Sequence, residues 1–188
     1  VDLMNLNDMI GVVSFDNIVE TNYPLTIIQT APDTKAQAKA AIDALYARNS
    51  TSIGGGLARG RDLLTSGGNI NHPWAIVLLS DGQENTAPRV ADVLPSIAAT
   101  KIKVFSIGLG SVNEALMQSI AYQTGGNYYY TPTDAELAAI YSSISGQVAG
   151  RQTLYQASSS VQAGQSSIRP VNIDPAVEEA IFSVTWNN

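Results

Sequence analysis

The chain has 188 residues, 45% of them hydrophobic, so it is long and apolar enough to fold around a core. Ten Lys and Arg stand against sixteen Asp and Glu, giving a net charge of −6; with no basic cluster in the sequence, this disfavours a nucleic-acid partner. The absence of cysteine excludes a disulfide framework, a thiol nucleophile and a thiolate zinc site, and no apolar run approaches the roughly 18 residues of a membrane span.

The first residues, VDLMNLND, lack the basic region of a signal peptide. Leu3 and Leu6 lie one helical turn apart, which predicts the end of a helix and indicates that the chain is an excerpt. Residues 9–15 (MIGVVSF) form a β-branched run and are predicted to be a buried strand. Residues 23–28 (YPLTII) are predicted to pair with it as an antiparallel hairpin, with Pro24 suited to an outer edge.

Helical periodicity replaces the strand pattern in residues 32–48, where Asp33 or Thr34 is placed to cap the start. The predicted buried face of this helix consists of Ala38, Ala41, Ile42 and Leu45. After the polar loop NSTS, a second helix is predicted from the apolar stripe Ile53, Leu57 and Leu64.

Strands and helices then alternate. Strands are predicted at residues 74–79 (WAIVLL), 102–108 (IKVFSIG) and 127–130 (NYYY). Helices are predicted at residues 88–100, with an irregularity at Pro95, and at residues 113–126, ending at a glycine pair. A last helix, residues 133–148, has a capping box from Thr133 to Glu136 and the stripe Leu137, Ile140, Tyr141 and Ile144.

Because the strands after the hairpin are apolar throughout, both faces of their sheet are expected to be covered. The predicted fold class is α/β: a doubly wound, Rossmann-like, mostly parallel sheet with one antiparallel edge strand and helices on both faces. This domain is expected to occupy residues 1–150. Residues 151–188 are rich in Ser and Gln and end in the alternating run AIFSVTW, which predicts the start of a β-sandwich-like module too small to close its own core.

The run AIVLLSDGQEN (residues 75–85) ends a buried strand on polar groups. In an open α/β sheet, ligands bind at the carboxyl ends of the strands, which is where Ser80 and Asp81 fall. Taken alone, an Asp-Gly pair favours a simple turn. Residues 83–85 are predicted to form the rim of this edge.

Two other loops shift the balance towards a ligand site. STSIGGGL (residues 50–57) places the hydroxyls of Thr51 and Ser52 before a helix. Its glycines have two interpretations of about equal weight: close packing of the helix against other backbone, or direct contact with a ligand. SIGLG (residues 106–110) ends the next strand in small residues, which is expected to leave room above the same edge.

Nucleotide and catalytic sites are disfavoured. The glycine-rich segments lack the third glycine of a dinucleotide fingerprint, and no Gly-Lys-Ser/Thr of a P-loop occurs. The one histidine, His72, precedes a strand and is expected at the opposite end of the sheet, out of reach for a general base. Glu84 and Asp81 are explained more simply as solvated carboxylates near a turn or metal than as an acid pair. The domain is therefore expected not to be an enzyme.

Six segments, in their order along residues 1–150, resemble the von Willebrand factor type A domain. They are DMIGVVSFD, STSIGGGL, AIVLLSDGQEN, KVFSIGLG, LMQSIAYQTGGNYYY and DAELAAIYSSI. The combination of TSIGGGL with LLSDGQEN, together with the β-rich tail, is most similar to the calcium-activated chloride channel regulator-like branch and its bacterial relatives.

The resemblance implies a metal-ion-dependent adhesion site at the top of the sheet. In the family, three loops provide the metal ligands. The first loop, Asp-x-Ser-x-Ser, gives a carboxylate and two hydroxyls. The second loop gives a threonine, which matches Thr51, and the third gives an aspartate, which matches Asp81. Ser52 and Ser80 are the neighbours of these two. Such oxygen donors suit Mg²⁺, or Mn²⁺ or Ca²⁺ in its place, and the cation is expected to bind an Asp or Glu of a protein partner.

The sequence departs from the family pattern at the first loop, because it contains no Asp-x-Ser-x-Ser. In the family that loop follows a central strand, so this chain is expected to begin after it. The expected consequences are a metal site that is weak or absent in these 188 residues, and either a gap in the sheet or a strand supplied from outside the chain.

The function implied is a non-enzymatic protein-binding or adhesion module of an extracellular or cell-surface protein, next to other domains of the same parent chain. The alternative is a metal-free structural scaffold within a larger secreted or surface protein. A His-Glu-x-x-His sequence ahead of Val1 would indicate that this larger protein is a metalloprotease.

Overall fold

The computed structural model describes residues 1–46, 48, 50–81, 83–130, 134–150 and 161–176. In chain order, its strands and helices are β1 (Met9–Phe15), β2 (Val19–Ile27), α1 (Thr34–Asp43), α2 (Ile53–Gly67), β3 (Ala75–Ser80), α3 (Val90–Ala98), β4 (Lys103–Gly108), α4 (Glu114–Thr124), β5 (Tyr128–Tyr130) and α5 (Asp134–Val148). None of the helices in these ranges is long and apolar enough to cross a membrane.

The predicted hairpin is present. Strands β1 and β2 pair antiparallel, from Met9 opposite Ile27 to Phe15 opposite Val19. Strand β2 begins at Val19, four residues before the predicted start, because the polar residues between the two runs also pair with β1.

Strands β3, β4 and β5 form a parallel sheet in that order, which confirms the predicted fold class. Its two faces are covered by different helices. On one face, β-strand side chains such as Leu78 and Val104 pack with residues of α2, α3 and α4 in the larger core cluster. On the other, Phe105 and Ile107 pack against Ile144 of α5. Alternate residues of β4 therefore reach separate cores on the two faces of the sheet, as its apolar sequence predicts.

The hairpin and the parallel sheet are separate. Within the described ranges no backbone pairing joins β1–β2 to β3–β5, and helix α2 packs against β1, β2 and β3. Val77 and Leu79 of β3 stay 39% and 36% exposed, although their neighbours across the β3–β4 register, Phe105 and Ile107, are buried. In the described part of the chain, the edge of β3 opposite β4 therefore has no backbone partner, and an unpaired strand edge promotes pairing with another chain. The absence of a strand from this sheet stays a prediction.

The prediction of a helix end at the N-terminus is wrong. Residues 1–8 form turns in which Met4 donates to the carbonyl of Val1 and Asp8 to that of Asn5. Leu3 and Leu6 are both exposed, so their spacing of one helical turn does not mark a buried face.

Helix α1 is shorter and more exposed than predicted. Asp33 caps it by accepting a hydrogen bond from the backbone N–H of Ala36, as expected, and Ala38 is fully buried. The helix ends at Asp43, however, and Ile42 and Leu45 are 41% and 40% exposed. Among the strands and helices, α1 packs chiefly on β1 and β2 of the hairpin, and this narrow surface does not cover its whole apolar face.

The later helices agree better with the sequence. Helix α3 runs through Pro95 without interruption, contrary to prediction, because Leu94 and Ile97 on either side are buried in the core. Helix α4 ends at Gly125, whose φ of 72° suits glycine. Residues 161–176 contain no helix or strand. The predicted capping residue Thr133 and the predicted strand AIFSVTW lie outside the described residues, so the partial β-rich module stays a prediction.

Candidate functional site

Asp81 directly follows β3 at the carboxyl edge of the parallel sheet, and it is exposed. The preceding residue, Ser80, is buried and lies opposite Gly108 of β4. Its carbonyl accepts a hydrogen bond of 2.9 Å from the backbone N–H of Leu109. The pairing of β3 with β4 thus continues to the last residue before Asp81, so the carboxylate projects from a fixed strand end.

The loop that carries Thr51 is joined by hydrogen bonds to the segment that follows Asp81. The backbone N–H of Thr51 donates to Oδ1 of Asn85 at 2.8 Å. The carbonyl of Thr51 accepts from the backbone N–H groups of Asn85 and Thr86 at 3.0 and 3.2 Å. Although Thr51 and Asn85 are 34 residues apart in sequence, both backbone polar groups of Thr51 are held by one short segment.

Glu84 connects the starts of two helices. One carboxylate oxygen accepts from the backbone N–H of Gly54, in the first turn of α2, at 2.9 Å. Both oxygens accept from Val90, the first residue of α3, at 3.0 Å. The first N–H groups of a helix have no partner within the helix and carry partial positive charge, so a carboxylate stabilises them. Glu84 is therefore bound to backbone and is not the solvated rim residue that the sequence predicts.

Arg89 holds the segment of residues 84–90 by hydrogen bonds to its backbone. Its guanidinium donates to the carbonyls of Glu84 at 2.8 Å and of Asn85 at 3.1 Å. Its own backbone N–H donates to Asp92 in the first turn of α3 at 2.9 Å. The 84–90 segment is thus fixed to α2, to α3 and to itself.

Close approach of this segment to α2 explains the glycines at the start of that helix. A Cβ added to Gly54 would lie 2.4 Å from the carbonyl carbon of Arg89 and 2.5 Å from the oxygen of Pro88. A Cβ on Gly56 would lie 2.5 Å from the ring of Phe15. Of the two interpretations left open by the sequence, the geometry therefore favours close packing for these two glycines.

The two serines next to the candidate ligands are both buried. Ser52 is 1% exposed and occupies the N-cap position of α2, with Oγ 3.5 Å from the carbonyl oxygen of Pro88. Ser80 is 6% exposed. Asp81, by contrast, is exposed and Thr51 is half-buried.

The room expected above β4 is partly filled. A Cβ on Gly108 would lie 2.7 Å from Val112 and 2.9 Å from the hydroxyl of Tyr128. That hydroxyl is buried and has no hydrogen-bond partner in the part of the chain that the structure describes. Burial raises the pKa of Tyr128 above its ordinary value, and the charge of Glu114 raises it further. The expectation of open space is wrong at Gly108, because Val112 and Tyr128 fold over it.

Arg48 ties the chain just ahead of the Thr51 loop to the hairpin. Its Nε lies 2.9 Å from Oδ2 of the buried Asp16, and its Nη2 pairs with the carboxylate of Glu20. The guanidinium carbon lies 4.7 Å from the ring centre of Tyr46. The hydrogen bond to Glu20 raises the pKa of the guanidinium above its ordinary value. The loop is therefore held at two points: Arg48 binds the hairpin just before the loop, and Asn85 binds Thr51 within it.

His72 is at the other end of the molecule, as predicted. It is exposed and lines a shallow depression beside the start of β3 and β4, together with Trp74, Lys101 and Lys103. In the described ranges, no three His, Asp or Glu side chains come close enough together to hold a metal ion.

Comparison with known proteins assigns the fold to a family. The sequence profile of the von Willebrand factor type A domain matches residues 1–143. The chain belongs to the von Willebrand factor type A family. Domains of this family are known as protein-interaction modules.

Two relatives show which branch the domain is similar to. It is 20% identical over 192 residues to the human calcium-activated chloride channel regulator 2, an alignment that covers 98% of this chain and 20% of that protein. It is 33% identical over 118 residues to the uncharacterized protein YfbK of Escherichia coli. That alignment covers 58% of this chain and 20% of YfbK. The chain thus spans about a fifth of the length of these relatives.

Solved structures agree on the fold. The von Willebrand factor type A protein from Catenulispora acidiphila superimposes with a TM-score of 0.69 at 20% identity, covering 81% of this chain and 36% of that one. Proximal thread matrix protein 1 from the mussel byssus, with a zinc-occupied metal-ion-dependent adhesion site, gives a TM-score of 0.59 at 26% identity, covering 71% of this chain and 34% of that one.

Proposed function

We propose that this domain is a non-enzymatic protein-binding module whose binding edge is the carboxyl end of β3. The observation that supports this most directly is the backbone junction between Thr51 and Asn85, because it holds the second loop against the segment that carries Asp81. A hydroxyl and a carboxylate on adjoining rigid loops are the oxygen donors that a hard divalent cation prefers.

The proposed cation is Mg²⁺, with Mn²⁺ or Ca²⁺ as substitutes, and its ligands from this chain are Thr51 and Asp81. The bound cation supplies one coordination position for an Asp or Glu of a protein partner. Two protein ligands are fewer than such a cation requires, and no acidic cluster completes the set among the residues described. A chain that also carries an Asp-x-Ser-x-Ser loop is therefore the form proposed to bind metal firmly. The mussel protein with zinc at this type of site supports the proposal by analogy.

The proposed setting is an extracellular or cell-surface protein in which this domain contacts its neighbours in the same chain. With a net charge of −6, the domain is not proposed to bind nucleic acid. A second candidate function is a metal-free scaffold that positions adjacent domains of a larger secreted or surface protein, a metalloprotease among the candidates. The small number of charged ligands near Asp81 favours this candidate over the first if no further loop is added.

Thermal melting distinguishes the two. In a version of the protein that carries an Asp-x-Ser-x-Ser loop ahead of Val1, millimolar Mg²⁺ or Mn²⁺ is expected to raise Tm. The reason is that binding adds about 2.7 kcal/mol to the free energy of unfolding when the free ion is at 100 times Kd. Asp81→Ala is expected to remove the shift because it deletes the one carboxylate of the proposed ligand pair, Thr51 and Asp81. The 188-residue chain itself is expected to shift little.

The control is Asp62→Ala, which removes an exposed aspartate of α2 that pairs with Arg61, and it should keep the full shift. An identical melting curve in Mg²⁺ and in EDTA for the extended wild-type protein would contradict the metal site and leave the scaffold function.

A further inference from the structure

We propose that Asn85 is a positioning residue that fixes Thr51 relative to Asp81, and that its side-chain oxygen is the essential atom. The consequence for metal binding rests on the function proposed above. The consequence for the loop itself does not, because the bonds involved are within the protein.

Asn85 is hydrogen-bonded to Thr51 and to its own loop. Its Oδ1 accepts from the backbone N–H of Thr51 at 2.8 Å and from the hydroxyl of Thr86 at 2.9 Å. Its backbone N–H donates to the carbonyl of Thr51 at 3.0 Å, and its own carbonyl accepts from Arg89 at 3.1 Å. The backbone N–H of Thr51 also defines the orientation of the amide, because this donor needs the oxygen and the NH₂ group cannot accept in its place.

These bonds hold Thr51 by both its N–H and its carbonyl, which fixes the position of its Cα and Cβ, from which the hydroxyl extends. Metal ligands must be held to within about 0.5 Å of the productive geometry, and partners one step removed from the metal do this work. Asn85 follows Asp81 by four residues, so its bonds tie the Thr51 loop to the segment that follows Asp81. Glu84 supports it by holding the starts of α2 and α3 on either side.

Two substitutions distinguish the contribution of the side-chain oxygen of Asn85 from that of the rest of the residue. Asn85→Ala removes the acceptor, whereas Asn85→Asp keeps an oxygen at the same place. Asn69→Ala is the matched control, because Oδ1 of Asn69 also accepts from a backbone N–H, that of Asn71, in the loop ahead of β3 at the far end of that strand.

Amide hydrogen exchange of the 188-residue protein tests the loop without metal. Asn85→Ala is expected to raise the exchange rate of the Thr51 amide by about tenfold, which corresponds to the loss of one hydrogen bond. Asn85→Asp and Asn69→Ala should leave that rate near the wild-type value. An unchanged Thr51 rate in Asn85→Ala would overturn the proposal, as would an equal increase in Asn69→Ala.

Titration with Mn²⁺, followed by broadening of the amide signals of Thr51 and Asp81, tests the consequence at the site. The paramagnetic ion reports even weak binding. Asn85→Ala is expected to weaken the Mn²⁺ effect by at least about tenfold, and Asn85→Asp to retain it. Faster exchange with an unchanged Mn²⁺ effect would show that Asn85 is merely structural and would overturn the positioning role. No Mn²⁺ effect on either signal in the wild type would refute metal binding by this chain, while the exchange rates would still decide whether Asn85 holds Thr51.

Discussion

Replacement of Gly54 by alanine is expected to destabilise the domain by about 3 kcal/mol, the upper part of the range for overpacking a rigid site. The new methyl group would lie 2.4 to 2.6 Å from backbone atoms of Pro88 and Arg89. Those atoms cannot rotate away, because Arg89 and Val90 are held by Asp92 and Glu84. Urea denaturation should show a lower midpoint at an unchanged slope.

The matched control is Gly67→Ala at the other end of the same helix. A Cβ there would lie 3.8 Å from its nearest neighbour, Leu25, which is an ordinary contact. Because alanine favours helix more than glycine does by up to about 1 kcal/mol, this variant should be as stable as the wild type or more so. If both variants lost the same stability, the effect at Gly54 would come from helix sequence and not from its contact with residues 88 and 89.

The second large effect is expected at Glu84. Glu84→Ala should cost about 3 kcal/mol, since charge-assisted hydrogen bonds contribute about 1.5 to 3 kcal/mol each and two helix starts lose their acceptor. Glu84→Gln keeps one oxygen and is expected to cost about half as much. Chemical denaturation of the two variants beside the wild type measures both values.

Glu114→Ala provides the comparison for a generic charge effect. Glu114 is an exposed acidic residue in the first turn of α4, and a helix-dipole contribution there is about 0.5 kcal/mol. A loss at Glu84 no larger than at Glu114 would contradict the role of Glu84 as a link between α2 and α3.

The stronger local patterns of the sequence predicted their elements well. The β-branched run of β1 gave the strand at its true bounds, and the stripe of Ile53, Leu57 and Leu64 in α2 is buried or packed on the core. These predictions succeed because period and burial are coupled within a few residues. The same rule failed at Leu3 and Leu6, since helical spacing of two residues is too short a pattern to distinguish a helix from successive turns.

The binding edge was partly predictable as well. The end of an apolar strand at Ser80 located Asp81 at the carboxyl edge of the sheet, where the structure has it exposed. Glu84 and Asn85 were predicted only as rim, because the groups they bind, on Gly54 and Thr51, are 30 and 34 residues away. No local pattern signals a hydrogen bond of that separation.

The sequence by itself determined the α/β class, the order of the elements and the residues at the strand ends, because each depends on local periodicity and on turn chemistry. Only the tertiary structure decided what the polar residues after Asp81 do and which glycines are required. It also decided that no backbone pairing joins the hairpin to the parallel sheet within the described ranges, and that Val77 and Leu79 are exposed. These features depend on contacts between segments far apart in sequence, and such contacts exist only once the core has brought α2, β3 and α3 together.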